Sequence, residues 1–377
     1  MATAVKLQNK TTIPILDLRA QYTAIKEEIR TAIDTVLERQ HFILGPEVKN
    51  LEQEIAKYCG RKYGIGVASG TDALILALKA CGIGPGDEVI VPSFTFIATA
   101  DAVSLLGAKP VFADIQPDTF NINPAEIEGL ITSRTKAIVP VHLYGQSADM
   151  DPILAVAKAN NLKVIEDTAQ ALGATYHGRR TASLGDIGCI SFFPSKNLGC
   201  YGDGGMVVTD SEEIYRKIVS LRAHGSTKKY FSEEQGWNSR LDELQAAILR
   251  VKLRYLDQWG AQRRTVADRY DLLLRFLEVI TPRRNSFGDH VFHQYTIRVP
   301  HRDVVQKRLG EAGVTTMIYY PVPIHLQPIY SNLGYREGDL SETEAACKEV
   351  LSLPIFPELT EEQSEYVADA IAASLNQ

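Results

Sequence analysis

Residues 191–205 read SFFPSKNLGCYGDGG, one lysine between an apolar run and four closely spaced glycines. Lys196 follows CISFFPS and precedes Gly199, Gly202, Gly204 and Gly205. Backbone of that composition turns sharply. Taken alone, such a lysine is more often a turn residue pointing at water. The alternative is an amine held at the mouth of a pocket, placed to form an imine with a carbonyl compound. The flanking sequence decides between them.

Working upstream, short apolar runs alternate with helical spacing. YGIGVAS precedes TDALILALKACG, DEVIVPS precedes FIATADAVSLLG, and KPVFADI precedes AEIEGLI. KAIVPVHL precedes DPILAVAKANN, LKVIEDT follows, and IGCISFF and GMVVTD flank the lysine loop. These runs are apolar throughout rather than at every second residue. That predicts strands buried on both faces, in a mainly parallel sheet between helix layers. Such α/β sheets bind ligands beyond the carboxyl ends of their strands.

Before the first strand, Tyr22, Ile25, Ile29, Ile33 and Val36 recur at helical spacing, and Gly45-Pro46 marks a turn into a second helix. After the glycines, RLDELQAAILRVKLRYLDQWGAQRRTVADRYDLLLRFL predicts a connecting helix. The remainder mixes strand (HQYTIRV, TTMIYY) with helix (RDVVQKRLGEAG, TEAACKEVLS, EEQSEYVADAIAASL), predicting a smaller α+β domain. We place the large domain at residues 1–255 and the small one at 256–377.

Of 377 residues, 45% are hydrophobic and 23% charged, an ordinary globular composition with room for two domains. A formal net charge of −6 argues against nucleic acid as a partner, since a phosphate backbone calls for a basic face. Five cysteines without a C-x-x-C pair predict neither a disulfide framework nor a structural zinc site, and no metal is expected. No run has signal-peptide or membrane-spanning character, so the expectation is a cytoplasmic protein without a membrane partner.

The strand ends carry the polar residues. In VASGTDALILAL, a strand meets a helix at Ser69-Gly70-Thr71. Gly70 lets backbone N–H groups approach an anion at a helix N-terminus, with the Thr71 hydroxyl beside them. The bland alternative is an ordinary cap made by Thr71 or Asp72. LKVIEDT ends in Glu166-Asp167, two carboxylates costly to bury without a cationic partner. Adjacent strand residues face opposite ways, and Asp167 is the candidate to meet a protonated ring nitrogen, with Gln170 one turn on. Ser191 is either a second phosphate donor or a serine bonded to its own backbone. Phe94 and Phe96 are either core or, in one case, a stacking platform. The segment GIGPGDE at 82–88 resembles a dinucleotide fingerprint only in composition; it follows a helix and is read as a turn. Jointly, an amine, a strand-end carboxylate, a phosphate-ready helix start and an aromatic platform are what pyridoxal phosphate requires.

The sequence resembles the DegT/StrS-type sugar aminotransferases, a branch of the fold-type I pyridoxal-phosphate enzymes. The likeness runs from IPILDLRAQY through FILGPEV, ASGTDALILAL, PVHLYGQSADMDPI, IEDTAQALGA, SFFPSKNLGCYGDGG and GWNSRLDELQAAIL to YYPVPIHLQPIY and VLSLPIFPELTEEQ. The resemblance implies pyridoxal 5'-phosphate held as an internal aldimine by Lys196, with Asp167 on the ring nitrogen and Gln170 near the ring hydroxyl. It implies Gly70, Thr71 and Ser191 at the phosphate and Phe96 on the ring face. It also implies a homodimer with shared active sites. Asn238 would then reach the neighbouring subunit's phosphate, and Arg240 an acidic donor or substrate. Tyr319, His325 and Gln327 match the sugar side; taken alone, His325 is more often a structural histidine and Arg240 an ion-pairing residue at a helix start. Relatives with histidine in place of the lysine dehydrate sugars, so Lys196 points to transamination, from L-glutamate to a nucleotide-linked keto-sugar. NSRLDELQAA is similar to members acting on 3-keto sugars; 4-keto members tend to carry NYRM there. Two rivals are a cofactor-binding sensor without turnover and a nicotinamide oxidoreductase. The second lacks a glycine fingerprint after its first strand.

Overall fold

The seven strand-like runs of the first 210 residues pair into one sheet. They are β1 (Tyr63–Val67), β2 (Glu88–Pro92), β3 (Lys109–Ala113), β4 (Thr135–Ile138), β5 (Lys163–Asp167), β6 (Ile187–Ser191) and β7 (Gly205–Thr209). The computed structural model describes residues 12–228 and 230–375. The strand order is β1-β7-β6-β5-β4-β2-β3. Only β7 runs against its neighbours, pairing antiparallel with β1 and β6. The remaining pairs are parallel.

Alternate residues of a strand feed opposite cores. On β6, Ile187 and Cys189 pack beneath the helix Gly70–Ala80, and Ile190 packs beneath the helix Pro46–Cys59. On β7, Val207 joins the first core and Met206 and Val208 the second. Burial on both faces explains why these runs are apolar at every position.

Asp17 caps the first long helix, Leu18–Arg39, by accepting from the N–H groups of Arg19 and Ala20. Its Ile25 and Ile29 pack against Ile248, Val251 and Trp259. The expected single connector is two helices, Glu243–Leu253 and Leu256–Leu274, broken at Arg254-Tyr255. The second of these carries Val266 and Tyr270 into a separate core with Tyr295, Ile297, Leu351 and Ile371. Antiparallel strands β8 (Tyr295–Arg298) and β9 (Val350–Leu353) and the helices Arg302–Glu311 and Glu361–Leu375 complete that unit. Ile13 also belongs to it: Ile13 N–H donates to the Gly313 carbonyl, and Thr315 N–H donates to the Ile13 carbonyl.

Three local expectations differ from the structure. TTMIYY is not a strand; Met317 forms one isolated bridge with Ser352, and the following tyrosines turn toward a cavity. The helix begun in TEAACKEVLS ends at Glu349, and Val350–Leu353 becomes β9, because this buried apolar run is needed to pair with β8. AEIEGLI forms a four-residue helix and then a tighter turn at Glu128–Leu130, where Gly129 interrupts the helical run. The segment 82–88 is a turn, as expected, with Gly82 and Gly86 at positive φ.

Candidate active site

A cavity of about 490 Å³ opens at the carboxyl ends of β1, β5 and β6. Its wall includes Gly70, Thr71, Phe96, Asp167, Gln170, Ser191, Lys196 and Tyr319. Eight residues singled out from five separate stretches of sequence therefore meet in one place.

Lys196 lies in the turn after β6, its N–H donating to the Phe193 carbonyl at 2.8 Å. Gly199 must be glycine here, since a Cβ would come within 2.4 Å of the Pro194 carbonyl oxygen. Burial lowers the Lys196 ammonium to about 8, against the opposing pull of Asp167. An amine with that value has a far larger neutral fraction near pH 7 than an ordinary lysine.

Asp167 and Glu166 separate cleanly. Asp167 faces the cavity, accepting from Thr99 Oγ1 at 2.8 Å and from Ala169 N–H at 3.1 Å. Glu166 faces the opposite side and is fully buried. It accepts from the N–H groups of Ala182, Leu184 and Gly185 and lies 2.9 Å from His142 Nε2. Burial would raise its carboxyl, but His142, Gly185 N–H and Arg61 together hold it below the usual range. Asp167 is thus the carboxylate left for a ligand.

The helix Gly70–Ala80 is capped by Ser69, not by Thr71 or Asp72: Ser69 Oγ accepts from Asp72 N–H at 3.0 Å. That leaves the Thr71 hydroxyl without a hydrogen bond among the described residues. The helix itself gives no partner to the N–H groups of Gly70 and Thr71. A Cβ on Gly70 would lie 2.6 Å from Ser191 Cβ, so only glycine permits this cradle. Ser191 Oγ accepts from Phe193 N–H at 3.3 Å, which leaves its hydrogen to donate. Phe94 is core, packed with Phe120 and Tyr144, whereas Phe96 is 55% exposed on the cavity wall.

Gln170 is fixed at both ends. Its Oε1 accepts from Tyr144 N–H at 2.9 Å and its Nε2 donates to the Tyr320 hydroxyl at 3.0 Å. Thr99, Tyr320, His293, Gln294 and Asp203 were not foreseen. Nothing local marks them: Thr99 sits within an ordinary helix, and His293 and Gln294 arrive from the edge of the second core.

Four expected residues lie off this cavity. Asn238 and Arg240 line an adjoining one of about 420 Å³, and Asp203 borders both. His325 is corrected to a buried structural position: its Nδ1 lies 2.7 Å from Ser93 Oγ and its Nε2 3.3 Å from Glu344. With both ring nitrogens engaged, it has none left for a sugar. Gln327 caps the short turn Pro328–Leu333 and does not reach the cavity either.

These residues fit pyridoxal phosphate: a partly deprotonated amine, a buried carboxylate with an open side, and a glycine cradle with unpaired donors. The fold and site define a pyridoxal-phosphate-dependent transaminase. The chain belongs to the DegT/DnrJ/EryC1/StrS aminotransferase family, which matches residues 23–372. It is 54% identical to a pleiotropic regulatory protein of Geobacillus stearothermophilus over 96% of this chain and 98% of that one. It is 49% identical to the UDP-N-acetyl-3-dehydro-alpha-D-glucosamine 3-aminotransferase of Acidithiobacillus ferrooxidans, over 98% of this chain and all of that one. The crystal structure of DesV from S. venezuelae, in complex with a ketimine intermediate, superposes with a TM-score of 0.95 at 44% identity. That match covers 97% of this chain and 99% of DesV. Among the described residues, no helix is long and apolar enough to cross a membrane.

Proposed function

We propose that the protein transfers the amino group of L-glutamate to C3 of a keto-hexose carried on a nucleotide, in the making of amino sugars. The observation that carries this is the pairing of Lys196, lowered to about 8, with the cavity-facing carboxylate of Asp167. The cofactor would be held by Lys196, with Asp167 at its ring nitrogen, Gln170 beside its ring hydroxyl and Phe96 on its face. Gly70, Thr71 and Ser191 would hold its phosphate. Bound there, pyridoxal phosphate supplies an electron sink that lets the C–H bond beside an amino group break.

The chain's own part is proton movement and orientation. Lys196, as free amine, would take the alpha proton of glutamate and hand it back on the cofactor's side, the amino group staying with the cofactor while water supplies the carbonyl oxygen of 2-oxoglutarate. With the keto-sugar bound, Lys196 would move a proton in the reverse direction, the sugar gaining the amino group and its keto oxygen leaving as water. A Lys196 ammonium near 8 rather than ~10.4 suits it to act as base at neutral pH. Asp167 would turn its carboxyl group toward the ring, and Thr99 fixes its orientation.

NSRLDELQAA and the name of the Acidithiobacillus relative support C3 over C4. We read the active protein as a homodimer. Exposed Asn238 and half-buried Arg240, the latter with no ion pair among the described residues, would serve the partner's site across the cavity bordered by Asp203. Five free cysteines accord with a cytoplasmic setting.

The test is the visible spectrum of purified protein during addition of L-glutamate, then of UDP- and dTDP-linked 3-keto and 4-keto hexoses, with products identified by mass. Bleaching by glutamate and recovery with a 3-keto sugar is expected. Recovery with only a 4-keto sugar would move the amination site. A band indifferent to every amino donor would favour a binding protein without turnover, a role closer to the regulatory name of the Geobacillus relative.

A further inference from the structure

A histidine from the second core holds the residue next to the lysine. Asn197 is buried, and its Nδ2 donates to the Val291 carbonyl at 3.0 Å. That fixes which end of the amide faces His293: Asn197 Oδ1 lies 3.2 Å from His293 Nδ1. An amide oxygen only accepts, so Nδ1 carries the hydrogen. On the other side of the ring, Gln294 Nε2 stands 3.4 Å from His293 Nε2. An amide nitrogen only donates, so Nε2 offers its lone pair and the ring is neutral. Burial, Lys196 and Arg263 all push His293 well below its ordinary value, which agrees.

The segment carrying His293 is itself tied down. Val291 N–H donates to the Gly145 carbonyl at 2.9 Å and Gln294 N–H to the Tyr144 carbonyl at 3.2 Å. Arg263 Nη1 donates to the Phe292 carbonyl at 3.0 Å. The contact thus links the second core to the lysine turn through a rigid strap.

We propose that His293 is a positioning residue for Lys196: through Asn197 it fixes the turn that carries the amine, and its uncharged ring keeps water away without adding a second positive charge. This rests on Lys196 being the reactive amine, as proposed above. The titratable groups on the cavity wall are Asp167, Lys196, Asp203, His293, Tyr319 and Tyr320, and Arg263 faces His293 from behind.

The test measures Lys196 directly. The full-length chain, freed of bound aldehyde with hydroxylamine, is pulse-labelled with acetic anhydride across a pH series. The peptide carrying Lys196 is then quantified by mass spectrometry. Wild type should show a midpoint of about 8. His293→Phe keeps the ring but loses the hydrogen bond; its midpoint should rise by about one unit, a tenfold fall in free amine at neutral pH. His293→Asn, whose amide can give the same hydrogen to Asn197 Oδ1, should stay near wild type. Asn197→Ala removes the bond from the other side, so either folded variant suffices. A low wild-type midpoint left unmoved by both removals would overturn the role of His293. A wild-type midpoint at the ordinary lysine value would instead overturn the reading of Lys196 itself.

Discussion

Thr99 Oγ1 donates to Asp167 Oδ2 at 2.8 Å, joining a helix that follows β2 to the last residue of β5. One carboxylate oxygen is thereby committed to Thr99 and the other accepts from Ala169 N–H. Each oxygen can accept a further bond. Replacing Asp167 with Asn keeps the shape and removes the charge. Single-turnover reaction with glutamate should slow on the order of 10²-fold. Thr99→Val should slow it about tenfold, the scale of one hydrogen bond to a charged group. Stopped-flow absorbance checks both; an unchanged rate in Asp167→Asn would remove Asp167 from the ring nitrogen.

The approach of Gly70 to Ser191 gives a second outcome. A Cβ on Gly70 would sit 2.6 Å from Ser191 Cβ, both on secondary structure that cannot easily yield. Gly70→Ala should cost about 1–3 kcal/mol through overpacking. Because the strain lies in the proposed phosphate cradle, the stabilisation that added pyridoxal phosphate gives the wild type should also shrink. Thermal unfolding with and without the cofactor measures both effects.

How much of this was legible in the sequence depends on how local each signal is. All seven sheet strands were readable because two-sided burial makes each an uninterrupted apolar run. Lys196, Asp167 and Gly70 could be singled out because each lies at or just after the end of such a run, and the structure brings all three to one cavity wall. Thr99 and His293 were not, because each meets its partner only through tertiary packing, Thr99 at 68 residues' separation and His293 at 96. The alternative to a phosphate cradle was a cap by Thr71 or Asp72, but the cap is Ser69, which has the extended backbone that a cap needs. The family resemblance put His325 on the sugar side, whereas a lone histidine is more often structural, and Ser93 and Glu344 hold it in the interior.

The low value of Lys196 fixes a pH dependence of stability. Below about 8 the folded chain carries a partly desolvated ammonium. Between there and the ~10.4 of a free lysine, the unfolded chain binds a proton that the folded chain does not, so stability rises with pH. Lys252, also lowered to about 8 by burial, titrates in the same window. Lys196→Met should therefore stabilise the cofactor-free chain by about 1–3 kcal/mol at neutral pH, a figure reduced for the partial exposure of the side chain. The gain should fade above pH ~10, and the rise with pH should be weakened rather than abolished. Denaturant titrations in a pH series check the sign, and the same variant should show no transamination.

Glu166 should respond in the opposite way to its neighbour. It accepts three backbone N–H bonds that hold the chain between β5 and β6 and faces His142 and Arg61 on the far side of the sheet from the cavity. His142 Nδ1 accepts from Ala148 N–H, so its Nε2 carries the hydrogen that Glu166 receives. Glu166→Ala leaves these donors buried and unpaired, and should cost about 3–5 kcal/mol. Its carboxyl is held below the usual range, so its contribution is present above the ~4.3 of an unfolded glutamate and is lost as pH falls through the folded value. Wild type should thus lose stability on acidification more steeply than the variant. Any protein that remains folded should keep the glutamate half-reaction rate. A large rate loss without a loss of stability would show that Glu166, and not Asp167 alone, serves the site.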